Sequence, residues 1–153
     1  MMGSSSTPMD HETLVAIEEI RQAKHRYGAY VDQTIMFPTP ENAALLKSMF
    51  VEDAVLDFPG LLGRHEGRDA IVQIFTDAVP KGTRLSWHSF HSPIIEVSGD
   101  TATGSWTMLA LVVRHGQTTP GPVTIYGRYA DRFVRTDDGW KISLLHFDKE
   151  GDD

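Results

Sequence analysis

The hydrophobic pattern of this chain changes its period once, near residue 83. Before that point apolar residues recur at steps of three and four, which predicts helices over 11–31, from Thr39 onward, and over 68–79, the last ended by Pro80 and Gly82. After it apolar and polar residues alternate, which predicts long strands over 85–97, 101–115, 123–136 and 140–147, with a shorter one at 54–58. Helices followed by turn-linked strands predict an α+β fold, with the helices on one face of a curved antiparallel sheet.

The chain length and charge limit what such a fold can do. A chain of 153 residues suits one domain, here residues 11–149, with residues 1–10 as a flexible leader and 150–153 as an acidic tail. The formal charge of −7 argues against a nucleic-acid partner, because such binders need excess cationic charge. The absence of cysteine excludes disulfides, thiolate zinc sites and cysteine nucleophiles. No apolar run reaches the roughly 20 residues of a membrane span, and the amino end lacks signal-peptide features, so we expect a cytoplasmic protein without a membrane partner.

Asp32 is the first candidate for chemistry. It lies at the predicted end of the first helix, where the carbonyl dipoles disfavour an acid. A cationic or hydrogen-bonding partner would compensate for that position. The alternative is an acid that simply faces water, and its position does not decide between the two.

The second candidate is the histidine pair on the first long strand. Because side chains alternate across a strand, His88 and His91 face opposite ways unless Pro93 marks a bulge between them. Each could also be an ordinary core or surface residue. Opposite orientations and the lack of other matched ligands argue against a metal site, so we expect none.

The last two strands carry an arginine and a histidine among apolar residues. If the turn at Asp137-Asp138-Gly139 pairs Thr136 with Trp140, Arg128 shares a face with Trp140, Ile142, Leu144 and His146. A buried unpaired charge is costly. Arg128 is therefore expected either to form a structural salt bridge with Asp148 or to contact a substrate.

Taken in order, several short motifs resemble the SnoaL-like branch of the NTF2-like superfamily. They are YVD at 30–32, FVEDAV at 50–55, EGRDAI at 66–71, His88 followed by SPIIEV at 92–97, GDTA at 99–102, GRYADRF at 127–133 and GWKI at 139–142. Within this superfamily the chain is most similar to the group of scytalone dehydratase, bile acid 7α-dehydratase and hexachlorocyclohexane dehydrochlorinase. The resemblance implies a cone, in which a curved antiparallel sheet wraps around three helices, and a homodimer or homotrimer.

The resemblance also implies roles for particular residues. In that group an Asp that closes the first helix orients a His on the first long strand, and this His removes a proton; the matching residues are Asp32 and His88. Tyr27 and Tyr30 match the polar helical positions before the Asp, and Arg128 matches the pocket cation. The implied substrate-binding positions are Leu56, Phe58, Trp106, Met108 and Ala110, with Tyr126, His146 and His91 as further candidates.

The function implied is that of a lyase that needs no cofactor, a dehydratase or related eliminase, acting on a small hydrophobic, aromatic or polycyclic substrate. The same residues would serve a ketosteroid-type isomerase or a polyketide cyclase. A second class of protein also stays open, a small-ligand-binding protein or a non-catalytic partner subunit, because one fold hosts many functions.

Overall fold

A computed structural model describes residues 9–117 and 123–151 of the chain. Residues 1–8 of the predicted leader at 1–10, residues 118–122 and the last two residues of the predicted acidic tail lie outside these ranges. The elements are α1 (His11–Met36), α2 (Pro40–Lys47), β1 (Phe50–Phe58), β2 (Gly63–Glu66), α3 (Arg68–Gln73), a π-helical stretch (Ile74–Ala78), α4 (Val79–Gly82), β3 (Thr83–Ser98), β4 (Thr101–Arg114), β5 (Val123–Thr136) and β6 (Gly139–Lys149). No helix within the described ranges is long and apolar enough to cross a membrane.

Helix α1 is longer than its sequence pattern predicts. Asp10 caps its amino end by accepting a hydrogen bond from the Thr13 backbone N–H at 2.8 Å. The helix continues to Met36, where Phe37 precedes Pro38 and so disfavours further helical backbone. The prediction that the helix ends at residue 31 was therefore wrong, and Asp32 lies inside the helix rather than at its exit.

The third helical segment also continues past its predicted end. Five residues of π-helix, Ile74–Ala78, join α3 to α4, which ends at Gly82. Pro80 lies in the first turn of α4 and does not stop the segment, which continues to Gly82. This continuation places Ala78 and Val79 beside the inner face of the sheet.

Within the described residues the sheet has six strands, in the order β2-β1-β6-β5-β4-β3. All neighbouring strands are antiparallel except β1 and β6, which pair in parallel and so modify the predicted all-antiparallel sheet. Strand β2 was not predicted, because four residues carry too short an alternation. Helix α1 packs across the concave inner face of the sheet and buries an apolar stripe that includes Ile20, Tyr27 and Val31.

The register of β5 and β6 decides which side chains face inward. The turn pairs Thr136 with Gly139, not with Trp140, and Gly139 adopts a φ of 97° that a residue with a side chain rarely tolerates. The pairing then shifts between Arg132 and Phe133. A one-residue slip reverses every side chain that follows. The inward residues of these strands are Tyr129, Asp131, Phe133, Trp140, Ile142, Leu145 and Phe147.

Candidate active site

A cavity of about 330 Å³ lies between α1, the α3–α4 segment and the inner face of β3, β4 and β5. Its walls are largely apolar, with Phe58, Phe75, Val79, Met108 and Ile125 among the lining residues. The polar residues among those that line it are Tyr27, Thr83, Ser86, His88, Arg114 and Tyr129. An apolar cavity with a few convergent polar groups is the usual form of a small-molecule site.

Asp32 forms a pair with His88, one of the residues that line this cavity. Asp32 Oδ1 lies 2.6 Å from His88 Nδ1, and each side chain is 14% exposed. Ser86 Oγ donates to the same oxygen at 2.8 Å, and the His88 backbone N–H donates to Asp32 Oδ2 at 2.9 Å. A carboxylate only accepts hydrogen bonds, so Nδ1 donates in this short contact and is the protonated nitrogen in the neutral form of the imidazole. That leaves Nε2 unprotonated, and no hydrogen bond to it is found among the described residues.

Strand alternation explains why these side chains meet. Ser86 and His88 lie on the inner face of β3, where they pair with Val112 and Ala110 of β4. Asp32 reaches them from α1, which packs along β3. The irregularity of β3 lies after His91, between it and Ile94, with Ser92 at a φ of 52°. The predicted opposite orientation of His88 and His91 therefore holds.

Two tyrosines, Tyr27 and Tyr129, line the same cavity as His88. Burial raises the pKa of Tyr27 above its ordinary value, an effect that the nearby Tyr129 hydroxyl partly opposes. Burial likewise raises the pKa of Tyr129. The Tyr27 hydroxyl is buried and has no well-formed hydrogen bond to any described residue. A buried donor without a well-formed partner costs about 1–3 kcal/mol, so this hydroxyl is able to donate to an oxygen atom that enters the cavity.

The predicted binding positions divide into two groups. Phe58, Met108 and Ala110 line the cavity. Leu56 and Trp106 are buried in the core but do not line it, which corrects those two predictions. Tyr30 is also placed elsewhere: it lies beside a separate groove with Met49 and Trp140, because α1 directs it toward β6 rather than toward β3.

Four further predicted residues lie on the outer face of the sheet. Arg128 and Tyr126 are exposed and flank the inward Gly127, so the predicted roles of Arg128 as pocket cation and Tyr126 as binding residue were wrong. His91 is exposed and contacts Ser89 Oγ at 3.0 Å, so it does not reach the cavity. His146 is also directed outward, because the shifted register reverses that part of β6.

On that outer face His146 instead contacts two carboxylates. Its Nδ1 lies 3.2 Å from Asp57 Oδ2 and its Nε2 lies 3.1 Å from Asp148 Oδ2. Partial burial lowers the pKa of His146, but the two carboxylates outweigh that effect and the pKa is raised.

Among the described residues no group of three or more His, Asp or Glu side chains is arranged to hold a metal ion.

A buried ion pair that the sequence did not predict lies next to the cavity. Lys24 Nζ lies 2.7 Å from Asp131 Oδ2, and both side chains are fully buried. Lys24 occupies a position of the apolar stripe of α1, between Ile20 and Tyr27. Asp131 shares the inward face of β5 with Tyr129. A charged residue at each of two core positions was the signal that could have revealed the pair.

The curved sheet and the helices packed against it define an α+β cone, and an apolar cavity lined by His88 of the Asp–His pair lies inside it. A family model described as a SnoaL-like domain matches residues 12–146, and the chain belongs to this family. The expected NTF2-like fold is confirmed. A search of curated proteins found no match.

Similar solved structures cover most of the chain. A Novosphingobium aromaticivorans protein provisionally described as an aromatic ring hydroxylase is 25% identical, with a TM-score of 0.78 over 91% of this chain and 92% of that one. A protein of the same species provisionally described as a scytalone dehydratase is 24% identical, with a TM-score of 0.75 over 90% and 86%. A hexachlorocyclohexane dehydrochlorinase of Novosphingobium barchaimii is 19% identical, with a TM-score of 0.70 over 90% of each chain.

Proposed function

We propose that this protein is a cofactor-independent lyase, a dehydratase or related eliminase, that acts on a small hydrophobic ring compound. The observation that carries the proposal is the short contact of Asp32 with His88, which lines a largely apolar cavity. Relatives described as a scytalone dehydratase and a dehydrochlorinase support the reaction type. The cavity volume of about 330 Å³ suits a small ring compound.

His88 is the proposed general base. Asp32 holds the Nδ1 proton, so Nε2 is free to accept a proton from a carbon of the substrate. Asp32 then stabilises the imidazolium that forms, and Ser86 and the His88 backbone N–H keep the carboxylate in position. The electron pair of the broken C–H bond forms the new double bond. The leaving group departs with the electron pair of its bond to carbon. A departing hydroxide takes the proton from the imidazolium, and after loss of a halide the imidazolium releases that proton to solvent.

Tyr27 is the proposed oxygen-binding residue. Its buried hydroxyl lacks a well-formed partner among the described residues, and a substrate carbonyl or leaving oxygen would supply one. Negative charge that develops on that oxygen strengthens the hydrogen bond in the transition state. The apolar lining excludes water, which strengthens such interactions further.

The test uses ring ketones that carry an acidic C–H bond beside the carbonyl and a hydroxyl or halide one carbon further. His88→Gln should lower the elimination rate by about 10²–10⁴-fold, the usual contribution of a general base. Binding of the unreacted ketone should stay within about tenfold. His91→Gln is the matched control, because His91 lies on the outer face of the same strand and should leave the rate unchanged.

Product analysis separates the alternatives. A shifted double bond without loss of a leaving group would indicate an isomerase, in which the same base returns its proton to another carbon. Ligand binding without turnover in the parent and in both variants would contradict the lyase and favour a binding protein or partner subunit. The expected homodimer or homotrimer stays a prediction that light scattering can measure.

A further inference from the structure

Lys24 and Asp131 form an ion pair in the protein interior that the proposed reaction leaves unused. The ammonium and carboxylate lie 2.7 Å apart and are fully buried. Burial lowers the pKa of Lys24 to about 8, although Asp131 opposes that shift. Replacing such a pair by apolar residues is often neutral or stabilising, so stability alone gives a weak reason for its presence.

The surroundings of Lys24 point to a role beyond packing. Its Nζ lies 3.3 Å from the ring centroid of Tyr129, and 4.8, 4.6 and 5.3 Å from those of Tyr27, Phe90 and Trp106. A cation over an aromatic face is attracted by the ring's electrons. The same attraction withdraws electron density from the phenol ring, which makes its O–H a stronger hydrogen-bond donor.

Two of these rings connect the ion pair to the cavity. Tyr27 and Tyr129 both contact Lys24 and line the cavity beside His88. The charged groups that act on these tyrosines, Asp131 and Asp32, are both negative and oppose an anionic oxygen nearby. Lys24 is the cation that faces the two rings within the described part of the chain. Arg128, the cation expected from sequence, lies on the outer face.

We propose that Lys24, held by Asp131 in this aromatic cage, is a positioning residue that strengthens Tyr27 and Tyr129 as donors to an anionic oxygen in the cavity. Tyr129 thereby joins Tyr27 as a residue that binds the ligand oxygen. The inference rests on the proposed function only in placing a ligand oxygen at the tyrosine end of the cavity. Lys24 itself touches no substrate and acts through the two rings.

The experiment measures how strongly the cavity favours a phenolate. 4-Nitrophenol is the probe, because the visible absorbance of its ionised form reports the apparent pKa of the bound molecule. All proteins carry His88→Gln, so that the imidazole cannot take the phenol's proton. No turnover is needed, and a negative result therefore leaves the test of His88 as a base intact.

The main variant is the apolar pair Lys24→Met with Asp131→Leu. We expect it to raise the apparent pKa of bound nitrophenol by about one unit, about tenfold in the ionisation constant. The matched control is Lys47→Met with Asp69→Leu, which removes an exposed pair at 2.6 Å and should change the constant by less than about twofold. Equal shifts of the apparent pKa of bound nitrophenol in the two double variants would overturn the proposal. A protein with His88→Gln alone that does not favour bound nitrophenolate would overturn it as well.

Tyr129→Phe tests whether the lysine acts through the ring. When Tyr129 lacks its hydroxyl, removing the ion pair should shift the bound nitrophenol much less, because interacting residues show non-additive effects. A full tenfold shift in the Tyr129→Phe background would contradict action through this tyrosine. Thermal unfolding of each variant confirms that the comparison is made between folded proteins.

Asp131→Asn gives a second measurement that keeps the shape of the core. In the parent the preference for nitrophenolate should weaken above about pH 8, where Lys24 loses its proton. Asp131 raises the pKa of Lys24, so the asparagine variant should lose the preference at a lower pH. The other titratable groups nearby are Tyr27, Tyr129 and Asp32, with His146 acting on Asp131. An unchanged pH profile in Asp131→Asn would refute the role of the lysine.

Discussion

Asp32→Asn changes the hydrogen bonding of the candidate site while leaving its volume almost unchanged. The carboxylate accepts bonds from Ser86 Oγ, the His88 backbone N–H and His88 Nδ1. An amide offers one acceptor oxygen and one NH₂ donor. If the oxygen keeps the bond from the backbone N–H, the NH₂ group faces Nδ1 and donates to it. If the amide is reversed, the NH₂ group opposes the backbone N–H and leaves that buried donor without a partner.

Both orientations carry a cost that can be estimated from the structure. The pair is only 14% exposed, so water replaces little of what is lost. Hydrogen bonds to charged groups contribute about 1.5–3 kcal/mol each, and at least one is lost, so we expect the free energy of unfolding to fall by about 2 kcal/mol. The first orientation also moves the imidazole proton to Nε2, where it blocks proton abstraction. A comparable tautomer change in a hydrolytic triad lowers the rate by about 10⁴-fold.

The assay reads the tautomer directly. Isotope-edited NMR of the His88 ring should show the proton on Nδ1 in the parent and on Nε2 in Asp32→Asn, while urea unfolding measures the stability. Asp57→Asn is the matched control, because it alters a second Asp–His contact at 3.2 Å on the outer face. That control should leave the His88 tautomer unchanged. An Asp32→Asn protein that keeps both the stability and the Nδ1–H tautomer of the parent would refute this role of Asp32.

Three further outcomes follow from other parts of the fold. Gly127→Ala should lower the melting temperature, because its Cβ would collide with the Asp148 carbonyl and the Phe147 ring, whereas Gly82→Ala meets nothing and should not. The stability that His146 contributes should be complete below pH 6.5 and lost as pH rises through its raised pKa, and His146→Asn should abolish that slope in urea unfolding at several pH values. Ala110→Leu should weaken 4-nitrophenol binding without unfolding the protein, because the added carbons enter the cavity that Ala110 lines; tighter binding would contradict the assigned cavity.

Local patterns in the chain were sufficient to predict the class of fold. The change from helical to alternating periodicity near residue 83 matches the boundary between α4 and β3. Alternation also separated His88 from His91, since successive side chains of a strand point to opposite faces whatever the strand packs against. The ends predicted for the first and third helices were wrong, and the reason lies in their prolines. The stop of α1 depends on Pro38, and the start of α4 tolerates Pro80, because the effect of a proline depends on its position within the helical turn.

The misplaced residues of the last two strands share one cause. Strand pairing was expected to put Arg128 and His146 on the face of Trp140 and Ile142, and that expectation turned on a single residue of the turn and one irregularity in β5 and β6. Neither feature has a signal in local periodicity, because a slipped register keeps the same alternation and reverses only its sense. Tyr129 and Asp131 were missed for the same reason, as they occupy the opposite face from the one chosen.

The sequence by itself determined which side chains could do chemistry here: Asp32 and His88 were identified from their positions on a helix and a strand and from the family resemblance. Only the tertiary structure decided which of them meet. The contact between Asp32 and His88 spans 56 residues, and that between Lys24 and Asp131 spans 107. Such contacts depend on how α1 crosses the concave sheet and on strand register, both of which are set by packing over the whole core. A local pattern contains the residue types but not the distances that packing sets.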